Sequence, residues 1–83
     1  MPYYLYILRC GDNTLYTGIA ADVDKRLAVH QSGKGAKYTR GRGPLTVVYR
    51  EKCDDKSAAL RREREVKALS RKEKLALIEG RFT

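Results

Sequence analysis

The strongest constraint on the fold is a pair of short apolar segments near the N-terminus, separated by a tight turn. The first segment, residues 3–9, is rich in aromatic and β-branched residues, which is typical of a strand buried on both faces. Residues 11–13 read Gly-Asp-Asn and predict a turn, and residues 14–19 predict a second strand. Because so short a turn brings the two strands side by side, we expect the fold to be built around an antiparallel hairpin.

Local signals in the rest of the chain predict three helices and one further strand. Each predicted helix begins at a side chain that can cap its first turn, namely Asp22, the pair Asp54-Asp55, and Ser70 in a capping box with Glu73. The helices are predicted from Asp22 to about Gln31, Lys56 to Leu69 and Arg71 to Glu79, and the strand from Leu45 to Arg50. The predicted fold is therefore α+β, a small three-stranded antiparallel sheet flanked by helices in the order β-β-α-β-α-α.

Residues 1–83 are predicted to form a single domain, because no repeat, linker or low-complexity run divides them. The apolar run Tyr3–Leu8 is too short for a signal peptide or a membrane span. Cys10 and Cys53 lack the spacing of zinc ligands, and we expect both to be reduced thiols. From these features we expect a cytoplasmic protein with no membrane partner, and we favour a monomer.

The charge of the chain is strongly positive, with 18 lysines and arginines against 10 acidic residues and a formal net charge of +8. An excess of this size attracts polyanions, so nucleic acid is the first partner to consider. The alternative is that the charge only aids solubility. The glycine-rich stretch 33–43, here called the basic loop, contains no acid, and its four cations are candidate phosphate ligands: Lys34, Lys37, Arg40 and Arg42. We expect this loop to be flexible and to approach a phosphate chain closely.

Glu63 breaks the helical pattern of its segment. On a helical wheel it lies between Ala59, Leu60 and Val66, the apolar stripe of the second predicted helix. A carboxylate in such a position must be paired, protonated or bound to a cation, because its burial without a partner is costly. An ion pair with Arg26 or another arginine and a metal-binding role both remain open.

Two tyrosines, a glycine and two residues of the first helix form a second set of candidates. Tyr6 and Tyr16 lie on paired strands, where tyrosine usually serves packing. Gly18 lies on the same strand face as Tyr16 and leaves a gap that a ligand can enter. Arg26 and His30 share or border the inward face of the first helix, although a lone histidine is more often a partly buried residue with satisfied hydrogen bonds.

These residues together are suitable for the cleavage of a phosphodiester. The reaction needs an activated nucleophile, neutralisation of charge on the pentavalent phosphorus and assistance to the leaving oxygen. Two tyrosines, an arginine, a histidine and one carboxylate beside a basic loop provide groups for each task. One carboxylate supports one Mg²⁺ that keeps several of its waters.

Quoted in order, Tyr4-Leu5-Tyr6, Tyr16-Thr17-Gly18, Arg26, His30 and Glu63 resemble the motifs of the GIY-YIG nuclease superfamily. The resemblance covers essentially the whole chain, and the length is similar to that of small stand-alone bacterial members. It implies the three-stranded antiparallel sheet predicted above from the residues.

The resemblance also implies a role for each matching residue. Tyr16 corresponds to a tyrosine that acts as general base or helps to activate water, and Tyr6 to one that orients its neighbours. Gly18 corresponds to a glycine that leaves room for the scissile phosphate, and Arg26 to an arginine that stabilises the charged transition state. Glu63 corresponds to the carboxylate that holds one divalent ion, Mg²⁺ or Mn²⁺. His30 corresponds to a histidine that a subset of members has.

The resulting expectation is a metal-dependent endonuclease that cleaves DNA, or RNA, and selects strand shape rather than base sequence. A second hypothesis is a non-catalytic nucleic-acid-binding module. It is motivated by Ile19, where several catalytic members have a lysine, and by the lack of any asparagine after Asn13. A third is an adaptor that binds a partner protein through an apolar edge of the last helix formed by Leu75, Leu77 and Ile78, residues that are more simply explained as core.

Overall fold

The computed structural model describes residues 2–80, so Met1 and residues 81–83 at the ends of the predicted domain lie outside the described residues. The element order confirms the β-β-α-β-α-α prediction. The elements are the strands β1 (Tyr3–Arg9), β2 (Leu15–Ala20) and β3 (Thr46–Cys53), the helices α1 (Val23–Gln31), α2 (Lys56–Lys67) and α3 (Arg71–Ile78), and a single 3-10 turn at Lys37–Thr39. 

Two element ends differ from the prediction. The strand β3 extends to Cys53 rather than Arg50, because Glu51 and Cys53 continue to pair with β1 through the backbone, which the polar side chains do not indicate. The helix α2 ends at Lys67 rather than Leu69. Its C-cap is Ala68, and Ser70 already caps the next helix, which leaves no room for another turn.

The sheet has the order β2-β1-β3, with both pairings antiparallel. The hairpin therefore forms one side of the sheet, and β3 returns to the free side of β1. As the central strand, β1 is covered on both faces, and Leu5, Tyr6, Ile7 and Leu8 are all buried. In the register of the hairpin Tyr6 lies directly opposite Gly18.

Each face of the sheet has its own apolar cluster. The cluster under α1 contains Tyr6, Leu8 and Val23, with Tyr16 packed against it. The cluster under α2 and α3 contains Leu5, Ile7, Val66 and Leu77. Because side chains alternate along a strand, Tyr6 and Tyr16 face α1, whereas Glu63 is carried by a helix on the opposite face.

The predicted helix caps are confirmed. The side chain of Asp22 accepts a hydrogen bond from the amide of Lys25 at 3.0 Å, and Asp55 accepts one from the amide of Ala58 at 2.8 Å. Ser70 and Glu73 form the reciprocal capping box at the start of α3. Gly33 follows α1 with φ of +82°, a left-handed conformation that glycine adopts without strain.

The exposed apolar residues bear on the remaining expectations. Leu60, predicted on the inward stripe of α2, is exposed, because Ala59 and Val66 take the buried positions. On α3, Leu77 is buried and Ile78 packs against the same cluster, so only Leu75 remains exposed. Cys10 and Cys53 are buried free thiols. In residues 2–80 no helix has the length and apolar character needed to cross a membrane.

Candidate functional site

Tyr6 is placed by the glycine on the neighbouring strand. A Cβ at Gly18 would lie 2.7 Å from the hydroxyl oxygen of Tyr6 and 2.8 Å from its Cζ, which is too close for any side chain. The space that was predicted to be open for a ligand is thus occupied by the ring and hydroxyl of Tyr6. Gly18 is needed in the first place so that Tyr6 can lie flat across β2.

Two tyrosines and the histidine form one aromatic group between the sheet and α1. The hydroxyl of Tyr6 lies 2.9 Å from Nε2 of His30, and both residues are buried. The ring of Tyr16 meets the edge of the His30 ring with a centroid distance of 5.3 Å and lies 6.4 Å from the ring of Tyr6. The structure therefore brings together three of the predicted site residues from β1, β2 and α1.

The other ring nitrogen of His30 is held by residues 35–39 of the basic loop. Its Nδ1 lies 3.2 Å from the amide nitrogen of Ala36, which donates to it, and 3.1 Å from the hydroxyl of Thr39. The same hydroxyl also lies 2.8 Å from the carbonyl oxygen of Ala36, to which it can donate. A Cβ at Gly35 would collide with the His30 ring, so the backbone at Gly35 packs directly on it.

Thr39 was not among the predicted site residues, although it is 2% exposed. The sequence contained one indication. Thr39 is the only β-branched residue between Gly33 and Gly43, where every other residue is glycine, alanine, tyrosine or a cation. A β-branched residue in such a segment is better explained by burial than by exposure to solvent.

The electrostatic environment of Tyr6 shows which charged residues lie nearby. Burial raises the pKa of Tyr6 to about 12, and the proximity of Tyr16 adds to the rise. A side-chain hydrogen bond from Arg26 lowers that pKa, and the negative charge of Glu63 raises it. The hydroxyl of Tyr6 is therefore within the influence of groups from β2, α1 and α2, and it keeps its proton at neutral pH.

His30 is uncharged near neutral pH. Burial lowers the pKa of His30, and the positive charge of Arg26 lowers it further. The imidazole therefore has one protonated nitrogen, and its hydrogen bonds determine which one.

Arg26 lies at the border of α1 rather than on its buried face. Its side chain is exposed, and it lines an open groove of about 620 Å³ beside β2. Lys25, Lys56 and Ile19 also line this groove. Lys56 was missed because it belongs to the start of α2, and only the packing of that helix brings it beside α1.

Glu63 is partly buried, with its side chain 19% exposed. Its neighbours on α2, Ala59 and Val66, are completely buried, as the helical wheel predicts. Its partner is not an arginine: Oε2 lies 3.3 Å from Nζ of Lys67, one turn along the same helix. The partner lysine is itself more than half exposed, so the carboxylate is paired at the surface and is not sealed inside the core.

The donor set at Glu63 fits a single, partly hydrated ion. Within residues 2–80 no group of three or more histidine, cysteine, aspartate or glutamate side chains is placed to hold a metal ion. Mg²⁺ does not need such a cage, because it keeps several waters and binds through one or two carboxylates together with substrate phosphates. A lone, accessible carboxylate beside a basic groove is compatible with that mode of binding.

The basic loop is docked on the β1–β2 hairpin through Arg42. Arg42 forms an ion pair of 2.6 Å with Asp12, and its guanidinium lies 4.5 Å from the ring centroid of Tyr38. The ring of Tyr38 in turn lies 5.8 Å from that of Tyr16. Hydrogen bonds from Thr14, and then the pairing with Arg42, hold the pKa of Asp12 below its usual value. Arg42 thus anchors a loop that was predicted to be flexible.

The remaining cations of the loop, Lys34, Lys37 and Arg40, are exposed. Among residues 2–80 none of the three has an ion-pair partner, so they are available to a phosphate chain. The acid that neutralises Arg42 comes from outside the loop, which the composition of the loop alone does not reveal.

Comparison with known proteins identifies relatives over almost the whole chain. A family model described as the GIY-YIG catalytic domain matches residues 2–76. The UPF0213 protein SH2523 of Staphylococcus haemolyticus is 52% identical over 79 residues, which are 95% of this chain and 96% of that protein.

Two solved structures have the same fold. The solution NMR structure of the UPF0213 protein BH0048 from Bacillus halodurans is 52% identical and covers 95% of this chain and 84% of its own, with a TM-score of 0.62. That of the protein EF2693 from E. faecalis is 35% identical and covers 96% of this chain and 85% of its own, with a TM-score of 0.67.

Proposed function

The chain belongs to the GIY-YIG catalytic domain family, and from this premise we propose that it is a metal-dependent endonuclease that hydrolyses phosphodiester bonds in DNA. Membership of the family supports a nuclease-type function and a nucleic-acid substrate. One observation supports the chemistry most: the Tyr6 hydroxyl, bonded to His30, lies within the influence of Tyr16, Arg26 and Glu63. These five residues come from four elements, and core packing alone does not require that they converge.

Tyr16, Tyr6 and Arg26 have distinct roles in the proposed reaction. Tyr16 is half-buried and activates the attacking water. Tyr6 keeps its proton, because its pKa is about 12, and contributes a hydrogen bond rather than acting as a base. Arg26 is exposed in the groove and compensates the charge that develops on the phosphate in the transition state.

Glu63 would hold the divalent ion, Mg²⁺ or Mn²⁺. Such an ion, when bound, polarises a phosphoryl oxygen as a Lewis acid. The contribution of the chain is a carboxylate with one oxygen paired to Lys67 and the other without a partner among residues 2–80. Gly18 acts through Tyr6, whose ring it accommodates.

The phosphate chain is held by cations on two sides of the site. Lys34, Lys37 and Arg40 present exposed charges on the basic loop, and Lys25 and Lys56 line the groove beside Arg26. Contacts with phosphates position a nucleic acid but do not read its bases. We therefore propose selection of single strands, ends or branches, with Arg42 supporting the loop from behind.

The non-catalytic alternative rests on Ile19, which occupies the position of a lysine in several active members. In the structure Ile19 lines the same groove as Lys25 and Lys56. These two lysines supply positive charge next to the position where the motif lacks it, and this favours the enzymatic hypothesis.

A panel of substrates tests the proposed function. Labelled single-stranded, flapped, branched and duplex DNA, with matched RNA, are incubated with excess protein and Mg²⁺ or Mn²⁺, and with chelator as control. We expect cleavage of the DNA single strand or flap in the presence of metal only. Salt-sensitive binding without any nicking at high protein concentration would instead establish the non-catalytic module.

The setting of this activity is also a proposal. We propose that the protein acts in the cytoplasm as a monomer, because each of the five site residues is supplied by the same chain. Light scattering at the concentrations used for cleavage tests this: a dimer would contradict it.

A further inference from the structure

The hydrogen bonds around His30 determine which of its nitrogens is protonated. The amide of Ala36 can only donate, and among residues 2–80 its acceptor is Nδ1 of His30, at 3.2 Å. If Nδ1 were protonated, two donors would face each other, and the amide would be left unsatisfied next to a buried ring. With the proton on Nε2 this conflict disappears.

The hydroxyl of Thr39 is compatible with that arrangement. It has one proton and two acceptors within reach, Nδ1 of His30 at 3.1 Å and the carbonyl oxygen of Ala36 at 2.8 Å. Either choice keeps Thr39 buried against the ring and closes the 3-10 turn over it. Thr39 therefore fixes the position of the Ala36 amide relative to the imidazole.

The consequence reaches Tyr6 on the other side of the ring. When Nε2 is protonated, it donates to the Tyr6 oxygen at 2.9 Å, and the proton of Tyr6 must point elsewhere. The guanidinium of Arg26, the nearest charged neighbour on α1, has only donors and offers no acceptor for that proton.

We propose that Thr39 and the Ala36 amide are positioning groups that hold His30 in the Nε2-protonated tautomer, so that Tyr6 donates its hydrogen bond to an oxygen of the bound substrate phosphate. This inference rests on the proposed function and extends it to a part of the chain outside the motif residues. It also links binding to chemistry, because Lys37 and Arg40 flank the threonine whose placement sets the tautomer.

The tautomer can be measured directly, because His30 is the only histidine of the chain. Two-bond ¹H–¹⁵N correlation spectra of the full chain, without substrate, give one pair of imidazole nitrogens. At neutral pH the charged or titratable groups around His30 are Tyr6 from β1, Tyr16 from β2 and Arg26 from α1, and the ring is neutral. We expect a protonated Nε2 and an unprotonated Nδ1. A protonated Nδ1, or an averaged pair, would overturn the proposal.

Substitutions test the role of Thr39. In Thr39→Val the hydroxyl is lost at nearly constant volume, and we expect tautomer averaging and a kcat about 10-fold lower, the size typical of losing a partner that orients a functional imidazole, with little change in KM. Thr39→Ser should restore both. Thr46→Val, the same change at an exposed position of β3, should alter neither.

The outcomes separate the two proposals. If Thr39→Val keeps a pure Nε2-protonated ring and full kcat, Thr39 has no positioning role. If Thr39→Val does not fold, the spectra of the wild type and Thr39→Ser still decide the tautomer. If the wild type cleaves nothing while the spectrum shows the expected tautomer, the proposed function fails and the structural part of the inference stands.

Discussion

At the scale of single residues, Gly18 shows how a motif glycine can act through a neighbour. We predict that Gly18→Ala lowers the free energy of unfolding by about 1–3 kcal/mol, the usual cost of overpacking, because the new methyl group must displace the Tyr6 ring. Denaturant unfolding measures this change. Gly43→Ala is the control, since a Cβ there meets nothing within 4 Å, and an equal loss of stability in both variants would contradict the explanation.

His30 predicts a pH dependence of stability. Its pKa in the folded chain is below the ordinary value of 6.5, so the unfolded chain binds more protons as the pH falls through 6.5. We therefore expect the free energy of unfolding to decrease from about pH 7 to about pH 5. Asp12 and Glu73 also have lowered pKa values, but their contributions are lost only at more acidic pH.

The pH effect is measured by denaturant unfolding at a series of pH values, with His30→Gln as the comparison. The variant should lack the slope in this interval, whatever its absolute stability. A wild-type stability that is constant, or that rises as the pH falls, would show that the buried imidazole is not neutral.

At the scale of elements, the basic loop divides its cations into two kinds. Lys34, Lys37 and Arg40 are free, whereas Arg42 is paired with Asp12. We predict that each substitution of a free cation by alanine reduces the slope of log K against log salt for single-stranded DNA by about 0.7. Lys72→Ala on α3 removes the same charge from another exposed element and should leave the slope unchanged.

Arg42→Ala should behave differently from the other three. Its loss releases Asp12 and uncovers Tyr38, so we expect a loss of stability or loop order together with weaker binding. Fluorescence anisotropy across a salt series, with thermal unfolding of each variant, distinguishes the two kinds. Identical effects for all four cations would contradict the division.

The elements were predictable from the sequence wherever their signals are local. Asp22, Asp55 and Ser70 cap the helices that they were predicted to cap, because capping depends on residues within one turn. The last residues of β3 were not predictable, because Glu51 and Lys52 look unlike a strand and are held there only by pairing with β1.

At the scale of the whole molecule, the site is assembled from elements that are distant in the sequence. The motif residues indicated which side chains to consider, and the structure places Tyr6, Tyr16 and His30 in contact. Neither the Lys67 partner of Glu63 nor the burial of Thr39 followed from the sequence, because each depends on which of several possible partners the packing provides. Spacing identifies a helix face but not the group opposite it.

The central claim is that one site, formed by the two tyrosines, Arg26 and Glu63, cleaves DNA. It is tested most directly by single-turnover cleavage of a labelled DNA flap with Mn²⁺ or Mg²⁺, comparing the wild type with Arg26→Ala and Glu63→Gln. Glu65→Gln is the matched control, because Glu65 is an exposed carboxylate of the same helix that pairs with Arg62. We expect each site variant to be at least about 100-fold slower, with Glu65→Gln unchanged and all variants folded. Cleavage by Arg26→Ala and Glu63→Gln at the wild-type rate would contradict the claim.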